Sequence, residues 1–161
     1  VRHANHFSWG PMLEVAKLFA GIFLTIIPAI AMLRAGNDGA LAPLVALVTG
    51  ADGQPIDTRY FLLTGALSSF LDNAPTYLVF FNLAGGDPVA LMGPLATTRA
   101  AISAGAVFMG ANTYIGNAPN FMVKSIAEAR GVKMPSFLAY FGLALLVLTP
   151  VYALLAWLFF S

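Results

Sequence analysis

The chain contains no cysteine and very few charged residues. The absence of cysteine among 161 residues excludes disulfides and thiolate metal sites. Lysine, arginine, aspartate and glutamate make up 9% of the chain, whereas a soluble domain carries roughly 25%. So few charges cannot cover a surface that faces water. The net charge of +1 and the lack of a long basic stretch give no basis for binding nucleic acid. The sequence therefore predicts an integral membrane protein surrounded by a lipid bilayer.

Hydrophobic residues, which form 59% of the chain, are concentrated in long segments. Segments 12–33 and 135–160 reach the roughly 20 residues that a helix needs to cross a bilayer. We predict both as transmembrane helices, the second without a functional site. The most polar region is 34–59, and we predict that it forms an extracytoplasmic connection.

Segment 60–86 is apolar except for a polar interruption whose only charge is Asp72. It has two interpretations. One is a single spanning helix kinked at Pro75. The other is a re-entrant hairpin, with arms at 60–70 and 76–84 and a tip at 71–75. Each arm has about ten residues, which reach only about half of a 30 Å hydrocarbon core.

Segment 95–130 is too long for one straight crossing, and its middle, 110–120, is rich in glycine and polar residues. We predict a discontinuous transmembrane helix with an unwound centre. Residues 115–123 align without a gap with residues 71–79, and Asn-Ala-Pro occurs in both. Because asparagine caps helices and proline suits a first turn, Asn73 and Asn117 are predicted to start new half-helices. Two such interruptions in apolar segments indicate a transporter binding site.

The distribution of charge favours the hairpin. With a hairpin, Arg2 and the basic residues of 124–133 lie on one side of the membrane and the acidic loops lie on the other. Because cytoplasmic loops are enriched in lysine and arginine, the 130–133 turn is predicted to be cytoplasmic. The carboxyl end is then extracytoplasmic, in a multi-pass membrane protein.

Asp72 is the most informative candidate residue. A carboxylate at membrane depth costs on the order of 3 kcal/mol and usually marks an ion or proton pathway. Removal from water favours its protonated form and a bound cation its ionised form, so Asp72 could exchange a proton for Na⁺. The alternative is that Asp72 only caps the return arm. Neutral oxygens that could assist come from Ser69, Asn73, Thr76, Asn112, Thr113, Asn117 and Asn120, and the predicted helix-breaking residues are Pro75, Gly116 and Pro119.

The motifs at 68–77 and 110–124 resemble the ion transporter superfamily, and within it the bacterial citrate transporters and NhaD-type sodium/proton antiporters. The resemblance implies an all-α membrane fold of two inverted repeats, each with a re-entrant hairpin and a broken helix. In that fold 68–76 would be the tip of the second hairpin and 112–120 the break in its partner helix. By this resemblance the chain would be the carboxyl-terminal half of a transporter and would pack against the amino-terminal half of the same protein. The complete transporter would form a homodimer.

These features lead to two functional hypotheses. The sequence favours secondary active exchange of Na⁺ for H⁺, with Asp72 as the exchanging ligand. The alternative is cation-coupled transport of citrate or another carboxylate, in which helix amino termini hold the anion. No cofactor is expected beyond Na⁺ and H⁺ as transported or coupling ions. An enzyme is not expected, because no Ser/His pair, paired acids or metal-ligand cluster occurs within the apolar segments.

Overall fold

The computed structural model describes residues 9–35, 38–40 and 42–161, so that Arg2 and part of the 34–59 connection lie outside the described residues. Within this part of the chain the fold is all-helical, as predicted. A 3-10 helix, Met109–Asn112, continues directly from the sixth α-helix. The α-helices are α1 (Gly10–Arg34), α2 (Ala42–Val48), α3 (Asp57–Ser68), α4 (Asn73–Leu83), α5 (Pro88–Met92), α6 (Ala96–Phe108), α7 (Ala118–Ala129) and α8 (Phe137–Phe159).

The helices follow the predicted segments, with two differences. α3 begins at Asp57, three residues before the predicted arm, and a short helix, α5, was not predicted. The local sequence explains α5, because Asp87 accepts a hydrogen bond from Val89 N at 2.9 Å and Pro88 occupies the first turn. The first difference lengthens an arm, and the second adds a short helix between two apolar segments; the order of the segments is unchanged.

The polar interruption at residues 69–72 reverses the chain. The rings of Tyr60, near the start of α3, and Phe80, near the end of α4, have centroids 6.4 Å apart. Along one helix, twenty residues would separate them by roughly 30 Å. α3 and α4 are therefore antiparallel arms of a helical hairpin, and the alternative of a single kinked helix is wrong.

α3 also packs closely against α6, and the two helices run parallel. Thr98 Oγ1 donates to Asp57 Oδ1 at 2.6 Å near the start of both helices. Further along, a Cβ on Gly105 would lie 2.4 Å from Phe61 O, so only glycine permits this approach of the two backbones. The core of the fold surrounds this crossing, with Tyr60, Phe61, Phe80, Ala101, Ile102, Met109 and Tyr152 buried together.

α8 runs back along α3, with Tyr152 and Phe160 against Phe61, and exposes most of its apolar surface. Among the described residues, α8 is the one helix that is both long and apolar enough to cross a membrane. It has 23 residues, Phe137–Phe159, and a mean hydropathy of 2.1. Only 17% of its most apolar 18-residue stretch is buried by the rest of the chain, and Leu138 and Leu146 are each 75% exposed. Such a face is stable in lipid or against another apolar surface, and not in water.

Candidate ion and substrate site

The hairpin tip lies next to the break between α6 and α7, because α3 and α6 are parallel and their carboxyl ends are close together. Ser69 is buried at the end of α3 and lies against the 3-10 helix that follows α6. Ser69 Oγ accepts from Asn112 Nδ2 at 2.9 Å, and its own hydrogen is within reach of Gly65 O at 2.9 Å and Met109 O at 3.0 Å. Thr113 Oγ1 donates to Ser69 O at 2.5 Å. Three predicted site residues thus form one polar seam.

Asn73 joins the same seam from the return arm. Its amide is satisfied when Nδ2 faces α6 and the break, where it donates to Ala106 O at 2.8 Å and Gly116 O at 3.2 Å. In that orientation Nδ2 also lies 3.0 Å from Ser68 Oγ, which itself donates to Ala106 O at 2.5 Å. Asn73 therefore binds all three elements of the junction together.

Asn73 is not the helix cap that the sequence predicted. The cap of α4 is Asp72, whose Oδ1 accepts from Ala74 N at 3.3 Å. Asn73 is instead the first helical residue, since its side chain is engaged with α6 and the break. Asp72 is half-buried at the tip, and Pro75 is buried in the first turn of α4.

Gly116 lies where the two chain breaks touch. A Cβ at this residue would meet three backbone carbonyl oxygens, at 2.7 Å from Gly110 O and Ser68 O and at 2.9 Å from Ser69 O. Gly116 N is bound by Thr113 Oγ1 at 2.9 Å. Carbonyl oxygens gathered at the ends of α3 and α6 form a region of negative potential, which suits a hard cation.

The start of α7 has the opposite polarity. Asn117 occupies the cap position, as predicted, but its side chain makes no capping hydrogen bond. Pro119 lies in the first turn, and Asn120 turns back to donate from Nδ2 to Gly110 O and Thr113 O, both at 3.1 Å. Pro119 has no N–H, and Asn120 N donates to Asn117 O at 3.0 Å, so among residues 118–120 the Ala118 N–H is the backbone donor left for an anion.

The chain matches a sequence model of a protein family described as "Putative citrate transport" over residues 1–160. The chain belongs to this family. No curated protein and no solved structure matches it. The family is one of membrane transport proteins and not an enzyme class, as the sequence predicted. For a transport protein, two helix breaks that meet between apolar helices form the expected kind of binding region.

No group of three or more His, Cys, Asp or Glu side chains that could hold a metal occurs in the described residues. Asp72 is the carboxylate at the tip, where its side chain caps α4. Thr76, one turn further into α4, is fully buried, and its hydroxyl makes no hydrogen bond to the seam.

Sequence reasoning missed the contribution of α8. We predicted 135–160 as a helix without a site, but two of its tyrosines bind the 3-10 helix. Tyr152 OH donates to Phe108 O at 2.9 Å and lies 3.1 Å from Asn112 Oδ1, and Tyr140 OH donates to Ala111 O at 3.1 Å. The available signal was two tyrosine hydroxyls in an otherwise apolar span. Between α3 and α8 this leaves a cavity of about 380 Å³, with Ser69, Asn112 and Tyr152 among its lining residues.

Proposed function

We propose that this chain forms part of a cation-coupled secondary active transporter for citrate or a chemically similar carboxylate. The observation that carries the proposal is the junction at Gly116, where carbonyl ends of two helices lie next to the uncapped start of a third. A cation and an anion need opposite potentials, and this junction offers both within a few residues. The family description supports a citrate-type anion as the cargo.

The cation would bind on the side of the seam where α3 and α6 end. Ser69, Asn112 and Thr113 supply neutral oxygens there, and the carbonyls around Gly116 supply more. The carboxylate would bind at the start of α7, where Asn117 leaves the helix uncapped. A cation bound first would neutralise the carbonyl ends and raise the affinity for the anion, which couples the two fluxes.

The membrane arrangement that fits this function is a re-entrant hairpin facing a broken helix. α3 has 12 residues and α4 has 11, so each arm extends roughly 16–18 Å and the tip would lie near the middle of a 30 Å core. In this arrangement the 130–133 turn is cytoplasmic and the carboxyl end of α8 is extracytoplasmic, in the inner membrane. Irregular backbone at such depth must be surrounded by protein or a water-filled cavity. Ser68 and Ser69 are buried against α6 and the break, whereas Phe70 and Leu71 at the tip are exposed.

A second candidate is exchange of Na⁺ for H⁺, and Asp72 favours it. Asp72 is the single acidic residue between Asp57 and Asp87, and it lies half-buried at the hairpin tip. Capping of α4 does not require a charge, because asparagine caps equally well. In antiport Asp72 would alternate between a proton and Na⁺. In citrate transport its charge would help to hold the coupling cation.

The test uses the full-length protein in proteoliposomes that contain a pH-sensitive dye. Citrate uptake driven by an inward Na⁺ gradient, without a Na⁺-dependent pH change in the absence of citrate, is the expected result. A Na⁺-dependent proton flux without citrate, lost in Asp72→Asn, would replace the proposal with antiport. Asp87→Asn is the matched control, since Asp87 also caps a helix but lies away from the tip.

A further inference from the structure

Two threonine hydroxyls are buried inside the hairpin without a hydrogen-bond partner. Thr64 in α3 and Thr76 in α4 are both 0% exposed, and neither Oγ1 has a partner among the residues that the structure describes. Helical threonines commonly donate to the carbonyl four residues earlier. Thr25 and Thr49 do so here, to Gly21 O and Val45 O, each at 2.9 Å. The hydroxyls of Thr64 and Thr76 therefore have a different orientation.

The register of the hairpin puts these two residues opposite each other. Tyr60 contacts Phe80 on one side of them, and Ser68 contacts Asn73 on the other. Thr64 lies four residues from both Tyr60 and Ser68, and so on the same face of α3. Thr76 lies three residues after Asn73 and four before Phe80, on the matching face of α4. Both hydroxyl-bearing side chains thus belong to the inner surface between the arms.

We propose that one water molecule binds between Thr64 and Thr76 and bridges the two arms of the hairpin. A buried hydroxyl without a partner is unfavourable, and a buried water needs two to four polar partners. A dehydrated Na⁺ would need more oxygens than two hydroxyls supply. The carbonyls at this level lie inside α3 and α4 and are used by the helices themselves. The water would hold the arms in register about one turn from the tip, and so keep Ser68 and Asn73 in place at the break.

The test is a double-mutant cycle on the full-length protein, with Thr64→Val, Thr76→Val and both together. Valine keeps the shape of threonine and removes the hydroxyl. Each single change is expected to lower the melting temperature by about 2–4 °C, because the remaining hydroxyl loses its bridge. The double change is expected to cost no more than the larger single change. Thr64→Ser retains a hydroxyl, so Thr76→Val is expected to lower the melting temperature as much in the Thr64→Ser variant as in the wild-type protein.

Two results would overturn the inference. Additive losses from the two singles, or a gain in stability from either, would show that no bridging molecule couples the hydroxyls. A stabilisation by NaCl over choline chloride that disappears in both singles would identify the occupant as a cation instead of water. Thr25→Val is the matched control for additivity, because Thr25 is exposed on α1 and donates within its own helix. Combined with Thr64→Val, it is expected to be additive.

Discussion

Replacement of Gly116 by alanine perturbs the junction directly. The added Cβ would lie 2.7 Å from Gly110 O and Ser68 O and 2.9 Å from Ser69 O, where ordinary contact begins at 3.4 Å. All three oxygens belong to the backbone, so no side chain can turn away. The hairpin tip and the break must instead separate by about 0.5–0.7 Å, the difference between these distances.

That separation also weakens the seam. The bond from Asn112 Nδ2 to Ser69 Oγ is 2.9 Å long and would lengthen to roughly 3.5 Å, near the limit of a hydrogen bond. Overpacking of this kind typically costs about 1–3 kcal/mol. If the cost falls on the substrate-bound state, it corresponds to a loss of about 5- to 150-fold in transport at low substrate concentration.

The assay is initial-rate Na⁺-dependent citrate uptake in proteoliposomes, together with the melting temperature of the purified protein. Gly142→Ala is the control, because Gly142 lies in α8 with no atom within 4 Å of an added Cβ. It is expected to transport normally and to be as stable as wild type. Gly116→Ala with wild-type uptake and melting temperature would refute the close contact of tip and break.

Three further substitutions test separate contacts of the fold and the site. Gly105→Ala is expected to lower the free energy of unfolding by about 1–3 kcal/mol, and the melting temperature with it, because its Cβ would lie 2.4 Å from Phe61 O. An unchanged melting temperature would contradict the α3–α6 crossing. Asn73→Asp keeps the shape but removes the donor to Gly116 O, so thermal denaturation is expected to show a loss of about 1–3 kcal/mol; wild-type stability would argue that this amide is not engaged. Tyr152→Phe is expected to cost about 1 kcal/mol and to raise the Na⁺ concentration needed for half-maximal uptake, because it removes a bond to the 3-10 helix; an unchanged Na⁺ dependence would separate α8 from the site.

The sequence located both chain breaks because their signals are local. Proline and glycine cannot continue a helix without cost, and asparagine competes with helical hydrogen bonds. Pro75, Gly116 and Pro119 therefore marked the interruptions within a few residues. The hairpin required a longer-range argument from charge, and the contact of Tyr60 with Phe80 agrees with it.

The choice of cap at the tip could not be made from the sequence. Asp72 and Asn73 are both good helix caps, and local propensity does not separate them. The decision comes from Ala106 and Gly116, which are distant in sequence and engage the Asn73 amide. A side chain that is held by another element is not available to cap its own helix.

The role of α8 was invisible for the same reason. Tyr140 and Tyr152 donate to backbone carbonyls 29 and 44 residues away in the sequence, and the residue pattern of α8 does not predict those partners. Only the packing of α8 in the fold shows that both hydroxyls reach the end of α6 and the 3-10 helix.

The most direct test of the central claim is whether citrate protects the start of α7. Ala118 is exposed there, next to Gly116 and Asn117, and Gln54 is exposed in a distant loop. Ala118→Cys and Gln54→Cys would each be introduced alone into the full-length protein, with any cysteine outside these 161 residues replaced. Their labelling by a methanethiosulfonate reagent would then be timed. Citrate with Na⁺ is predicted to slow the labelling of Ala118→Cys severalfold and to leave that of Gln54→Cys unchanged. Equal labelling of Ala118→Cys with and without citrate, in a variant that still transports it, would contradict the site.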